Sequence, residues 1–337
     1  MAGYELNLLG LYAPLVGWTG LGLLLGSRLP KAIADGLGKG LFWVGVPLSV
    51  VGFLRNADLS GPIWIAPLIA WAAILLGLGL AWLGIWGLQH RQGGSCGVAR
   101  TGTASEHTGE TLAGPQQPDR LYPPPTCGSF LLSAMVGNTG YLGYPVTLAL
   151  VGPGLFGWAL FYDMLGTMFG AYGLGVFLAA RFGQGTRSPR QMIGTLLLNP
   201  ALWGFIAGLW LRDIPLPPLL DTGLKAGAWV SIALSLILIG MRLSQLHLQR
   251  SLKLASFGLG IKMLVVPLLL GAGISWLGIR GAPRLVMVLQ MGMPPAFATL
   301  MLTEAYDLDR ELTVTALAGG SLALLALLPL WLWLFPI

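Results

Sequence analysis

Two breaks carry the chemistry of this chain: Gly143-Tyr144-Pro145 and Gly292-Met293-Pro294-Pro295, each near the middle of an apolar stretch long enough to span a bilayer. Proline has no N–H and its ring displaces the carbonyl four residues back, so Tyr141, Gln290 and Met291 lose the usual donors to their carbonyls. In lipid such gaps persist only where the backbone is buried in protein or lines a wet cavity. A half-helix that begins at mid-membrane presents unpaired N–H groups and a partial positive end. That is a cradle for a carboxylate, and it avoids burying a full positive charge. Asn138 and Thr139, about two turns before Pro145, add side-chain donors, and Gln290, one turn before Pro294, is their counterpart across the crossing. Gly140 and Gly143 permit close approach of backbone and ligand, while Pro145, Met293, Pro294 and Pro295 shape the break itself. Each polar residue alone is equally well explained by helix packing; the pairing of two breaks favours a substrate site.

Asp163 is the strongest ionisable candidate. It lies about a third of the way into the next apolar stretch, where a carboxylate is costly and marks a functional position. It is a candidate carrier of a coupling proton, with structural pairing as the alternative. Lys262, about two turns into its own stretch, reads as a snorkelling side chain. Glu304 reads as a solvated helix-end residue, and Asn199 as the start of the helix it shares with Pro200.

The elements that must position these residues follow from composition. With 55% hydrophobic and 9% charged residues over 337 positions, the chain is an all-α integral membrane protein, since soluble domains carry about a quarter charged residues. The 50 glycines suit close helix contacts and the 13 tryptophans suit anchoring at the headgroups. Basic residues scattered among short loops explain the net charge of +6 as membrane orientation, and no nucleic-acid partner is expected. Apolar runs give ten expected spans, at 6–27, 36–54, 62–87, 128–152, 155–181, 193–211, 222–241, 254–278, 282–304 and 310–335. The first reads as a retained helix, because a basic n-region and a small-residue cleavage site are absent. Lysine and arginine concentrate in the odd-numbered loops, which predicts that these are cytoplasmic and that both termini lie outside, in a multi-pass protein of the plasma (inner) membrane.

Five spans per half impose opposite orientations, so a repeat between residues 1–182 and 183–337 would be inverted. A trace of it survives: Gly22, Asp35, Lys39, Trp43 and Ser49 recur at one fixed spacing as Gly208, Asp221, Lys225, Trp229 and Ser235, with Pro47 falling on Ala233. Later the register changes so that Gly143 and Pro145 fall on Gly292 and Pro294. An insertion explains both registers: the polar stretch 88–127, rich in Gly, Ser, Thr, Pro and Gln, is expected to be a disordered cytoplasmic loop. It holds or adjoins His90, His107, Cys96 and Cys127, whose spacing matches no metal-site or disulfide pattern. Neither a metal nor a cofactor is expected. The histidines, His247 included, fall in loops, and no phosphate-binding glycine loop followed by Lys and Ser or Thr occurs, which argues against a membrane enzyme or an ATP-driven pump.

Gly137-Asn138-Thr139-Gly140-Tyr141-Leu142-Gly143-Tyr144-Pro145 followed by Phe161-Tyr162-Asp163 resembles the signature of the auxin efflux carrier family. Asn199-Pro200, Ile239-Gly240-Met241-Arg242-Leu243, Met293-Pro294-Pro295 and Thr303-Glu304-Ala305-Tyr306 match the same pattern. The resemblance implies ten helices in two inverted five-helix repeats, with broken helices 4 and 9 crossing at mid-membrane, and a homodimer. It also implies a fold shared with the bile-acid sodium symporters. Two departures stand out: the polar insertion follows the third span, not the fifth as in the plant carriers, and Ala233 replaces a proline that kinks the seventh. The expected function is a secondary carrier of small organic acids by alternating access, driven by a proton, by sodium or by the substrate gradient. Alternatives are a sodium-coupled symporter of the bile-acid type, a channel or a membrane enzyme.

Overall fold

The computed structural model describes residues 8–90, 122–184, 194, 197–244 and 251–337. Its helices are α1 (Leu8–Arg28), α2 (Lys31–Leu54), α3 (Ile65–His90), α4 (Pro124–Met135), α5 (Tyr144–Leu150), α6 (Pro153–Phe182), α7 (Pro200–Leu211), α8 (Pro218–Ser244), α9 (Leu252–Trp276), α10 (Ala282–Met291), α11 (Phe297–Ala305) and α12 (Arg310–Leu334). Among the described residues no strand occurs; a single isolated bridge pairs Gly137 with Pro295. By length and composition, α2, α3, α6, α8, α9 and α12 are long and apolar enough to cross a membrane. The four other apolar stretches of the sequence coincide with α1, with the short α7, and with the interrupted pairs α4–α5 and α10–α11, which are not among these six. Trp43, Trp64, Trp203, Trp210 and Trp276 stand exposed on the outer surface, as side chains that meet lipid and its interface do.

Proline placement explains much of the local geometry. Of the five π turns among the described residues, three, Leu41–Gly45, Thr139–Gly143 and Ile261–Val265, stand immediately before Val46-Pro47, Tyr144-Pro145 and Val266-Pro267; the other two, Asp163–Thr167 and Ala171–Gly175, lie within α6. A π turn reroutes hydrogen bonds to the fifth residue back, which accommodates a residue with no N–H to give. Pro145 therefore sits in a helix that runs through it, and the expected break at Gly143-Tyr144-Pro145 lies elsewhere. The chain is extended at Val136, bridged at Gly137 and turned at Asn138, one π turn earlier. A Cβ at Gly137 would lie 3.2 Å from the Lys262 ammonium, which would have to give by a few tenths of an ångström, and 3.4 Å from the Met293 carbonyl oxygen, an ordinary contact. The second break is where the sequence indicates: α10 ends at Met291, α11 begins at Phe297, and Pro294 and Pro295 fill the gap. The register that places Gly143 on Gly292 is thus not the one the crossing uses. Over Ala233, α8 runs as one unbroken α-helix, in contrast to the π turn before Pro47.

Residues 88–90 close α3 and Pro124–Cys127 open α4, so the polar stretch is shorter than 88–127; its part from 91 to 121 lies outside the described residues. Cys127 is buried, with its sulfur near the Gln89 amide and the Tyr122 carbonyl. Cys96, His107 and His247 lie outside the described residues.

The helices pack in two groups. In one, α1 lies along α8, and α2 lies between α8 and α7. In the other, α3, α4, α6, α9, α10, α11 and α12 surround the breaks. The first group draws on residues 8–54 and 200–244, so the two halves of the sequence interleave in space. Contact between the groups runs mainly through α5, which meets α1 and α8.

Candidate functional site

The two interrupted stretches cross and are stitched by their backbones. The Asn138 N–H donates to the Pro294 carbonyl at 2.7 Å, and the Ala296 N–H donates to the Val136 carbonyl at 3.0 Å. Beyond the crossing, Leu142 and Gly143 donate back to the Asn138 carbonyl, and Thr299 donates to that of Ala296. The N–H groups of Thr139, Gly140 and Tyr141, and those of Phe297 and Ala298, therefore precede the first intrahelical bonds of their segments. Two helix N-termini, each with a partial positive end, begin at one place.

A cavity of about 630 Å³ opens from this place between the two helix groups. Its inner wall is Val136 to Tyr141 on one break and Ala296 to Ala298 on the other; α6 contributes Asp163, Thr167 and Tyr172. The first group contributes Asp35, Lys39, Phe42, Asn199 and Arg242. Asn138 is buried, and its amide nitrogen has no hydrogen-bond partner among the described residues. Asn138 lines the cavity although the nitrogen itself is covered, and a buried, unsatisfied donor costs about 1–3 kcal/mol, a cost a ligand acceptor brought to it would remove. Asn138→Ala should therefore lower the affinity for a transported acid about tenfold while shifting Tm by less than about 2 °C; titration of the purified protein with the acid reads both.

Asp163 is buried at the cavity wall, where it accepts hydrogen bonds from the Thr139 hydroxyl and, at 2.7 Å, from the Tyr144 phenol. Both donors sit just beyond the first break, so the carboxylate couples α6 to the crossing itself. A Cβ on Gly140 would lie 3.1 Å from its Oδ2.

Gly143, Pro145, Gln290, Met293, Pro294 and Pro295 do not line this cavity. Gln290 is fully buried and packs away from it: its amide donates to the Thr147 hydroxyl at 3.2 Å, and its Oε1, without a partner among the described residues, lies over Gly143. A Cβ at Gly143 would stand 2.3 Å from that oxygen, so any larger residue would displace the end of the Gln290 side chain. The Met291 carbonyl, which lost its helical donor, accepts from the Lys262 ammonium at 2.9 Å. Lys262 is 2% exposed, so it does not snorkel. Glu304 pairs with Arg310 at 3.0 Å and reaches the cavity rim. Asn199 caps α7 through the Ala201 N–H, as expected, and also lines the cavity.

Arg242, which closes the apolar stretch of α8 and is absent from the expected site, also lines the cavity. Its guanidinium stacks over the Phe297 ring, 4.1 Å from the ring centre, and makes no ion pair among the described residues. Phe297 is the first residue of α11, so this cation stands beside one of the paired helix N-termini. A Cβ on Gly38 would stand 2.8 Å from the guanidinium, which therefore lies directly against this glycine. Phe42 and Tyr141 stack nearby with ring centres 6.5 Å apart, and Tyr141 meets Phe297 edge-on at 6.2 Å. A second hollow, of about 690 Å³, is an apolar groove between α2 and α7 lined by residues such as Trp43, Pro47 and Trp203; it holds no polar group suited to an acid.

Residues 186–333 match the family described as membrane transport protein. An uncharacterized transporter of Methanothermobacter thermautotrophicus is 32% identical over 209 residues, which cover 61% of this chain and 67% of that one. An uncharacterized transporter of Methanocaldococcus jannaschii is 26% identical over 216 residues, covering 61% and 68%. With the crossed, interrupted helices and the apolar exterior, these matches identify the chain as a multi-pass member of the membrane transport protein family, that of the auxin efflux carrier permeases.

Proposed function

We propose that the chain is a secondary carrier of small organic anions, with its substrate site where the cavity meets the crossing. The observation that carries this reading is the convergence of two helix N-termini, the unpartnered Asn138 amide and the unpaired Arg242 cation on one cavity. Each favours a carboxylate, and the aromatic side chains of Phe42, Tyr141 and Phe297 suit an apolar body attached to it. Mono- and dicarboxylates lead, and an aromatic acid also suits this lining. In the proposed cycle, ten spans in two inverted repeats, residues 1–182 and 183–337, alternate access as the group around the breaks moves against the group of α1, α2, α7 and α8. In this reading Gly143, Pro145, Gln290 and Met293 to Pro295 serve the opposite-facing state, in which the Gln290 amide group meets solvent. The working unit is a homodimer in the plasma (inner) membrane with both termini outside the cytoplasm, and the cavity opens to the cytoplasm.

Counterflow in proteoliposomes tests this. Liposomes loaded with unlabelled benzoate, indole-3-acetate, pyruvate or malate should accelerate entry of the same labelled acid for at least one of the four. A carrier displays such trans-stimulation and a channel does not, so entry that never responds to internal acid would remove the carrier reading.

Asp163 is proposed as the proton-coupling group, because it touches the break through Thr139 and Tyr144 and lines the cavity. An imposed proton gradient should speed uptake by the parent and leave Asp163→Asn unaffected, with counterflow retained in both. Equal acceleration of the two would exclude Asp163 from coupling.

A further inference from the structure

We infer that the Lys262 ammonium is the resident cation of the crossing: a covalently attached charge occupies the place where carbonyl ends converge, and no soluble coupling cation binds there. The two half-helices that end at the crossing, α4 at Met135 and α10 at Met291, each bring a partial negative end of about half a charge. Where broken helices meet in a membrane carrier, such ends and the unwound carbonyls between them are what a bound sodium ion would coordinate. Here the ammonium donates to the Met291 carbonyl at 2.9 Å. Its tip packs on Gly137, with the Met293 carbonyl oxygen 3.4 Å from where a Gly137 Cβ would stand. Gly137, bridged to Pro295, thus lies directly against this side chain.

Lys262 has no carboxylate partner among the described residues, and it is 2% exposed. An unpaired charge in a membrane interior is tolerated only against backbone carbonyls, other charges or water, and carbonyls are what the crossing provides. The two half-charges from helix ends offset one ammonium. Lys262 lies within the π turn Ile261–Val265 that precedes Pro267, the same arrangement that stands before Pro145.

This inference excludes sodium as a coupling ion bound at the crossing of the proposed carrier, and it rests on that reading only for its consequence in transport. Its test does not need a substrate. The full chain is purified as wild type, Lys262→Arg and Lys262→Ala, and Tm is measured in the chlorides of sodium, potassium and N-methylglucamine at equal ionic strength. Wild type and Lys262→Arg should show no salt preference beyond about 1 °C. Lys262→Ala leaves a carbonyl-lined hole, so its Tm should fall by about 5 °C or more in N-methylglucamine and recover in sodium or potassium as the small cation fills the hole. Equal Tm of Lys262→Ala in the three salts would overturn the inference, and so would failure to recover that variant in any of them. A sodium-dependent rise for the wild type would overturn it even if the alanine variant did not fold. Wild-type protein without counterflow would instead remove the carrier reading and leave this result standing.

Discussion

Arg242→Ala should raise the dissociation constant for a transported acid about tenfold to a hundredfold, the loss expected of one charge-assisted hydrogen bond worth about 1.5–3 kcal/mol. Arg242 stands over Phe297, at the start of α11, with no acid of its own to neutralise among the described residues. Its charge is therefore available to a ligand lying against the two helix N-termini. A lysine in its place would keep the charge but lose the planar stack on Phe297, so Arg242→Lys should fall between the parent and Arg242→Ala. Thermal stability should change little, because the guanidinium lines a cavity and bridges no ion pair among the described residues. Binding measured directly on the purified protein separates the two effects. An unchanged affinity in Arg242→Ala would place the substrate away from this cation.

Gly240→Val should prevent assembly of the fold. A Cβ at Gly240 would stand 2.0 Å from the Thr19 carbonyl oxygen and 2.7 Å from the Leu23 nitrogen, and a Cβ at Gly22 would stand 2.1 Å from the Ile237 carbonyl oxygen. These neighbours are backbone atoms, which cannot rotate aside as a side chain can. To admit a side chain, α1 would have to leave α8 along the whole contact, and in lipid no hydrophobic effect compensates the lost packing. Overpacking costs about 1–3 kcal/mol where side chains can shift, and occasionally more; here the obstacle is backbone. Size-exclusion chromatography in detergent should find Gly240→Val aggregated, whereas Gly36→Val, at an open position on α2, should elute as the parent does.

How far the sequence revealed these features depended on the kind of signal. The membrane class, the apolar stretches and the break at Gly292 to Pro295 were legible because composition and a double proline leave few alternatives. Asp163 was legible because a carboxylate in an apolar stretch is costly wherever it sits. The first break was displaced by one turn: Pro145 draws attention, yet a π turn absorbs it, while Gly137 breaks the chain through a contact with Lys262 and Pro295 that no local pattern encodes. Arg242 was hidden for a similar reason. At the end of an apolar helix it looks like an orientation charge, and only the fold brings it to Phe297. Lys262 read as a snorkelling residue because spacing gives depth along a helix and not the face it turns inward. Gln290 was expected across the crossing from Asn138, but the helix turns it toward Thr147 instead.

The most direct test of a substrate site at the crossing is a cryo-electron microscopy structure of the protein in a lipid nanodisc with the acid that gives the strongest counterflow. The carboxylate is expected within about 3.2 Å of the Asn138 amide or of the N–H groups that open the two half-helices, with the Arg242 guanidinium beside it. A carboxylate seated instead in the groove between α2 and α7, with the crossing empty, would contradict it.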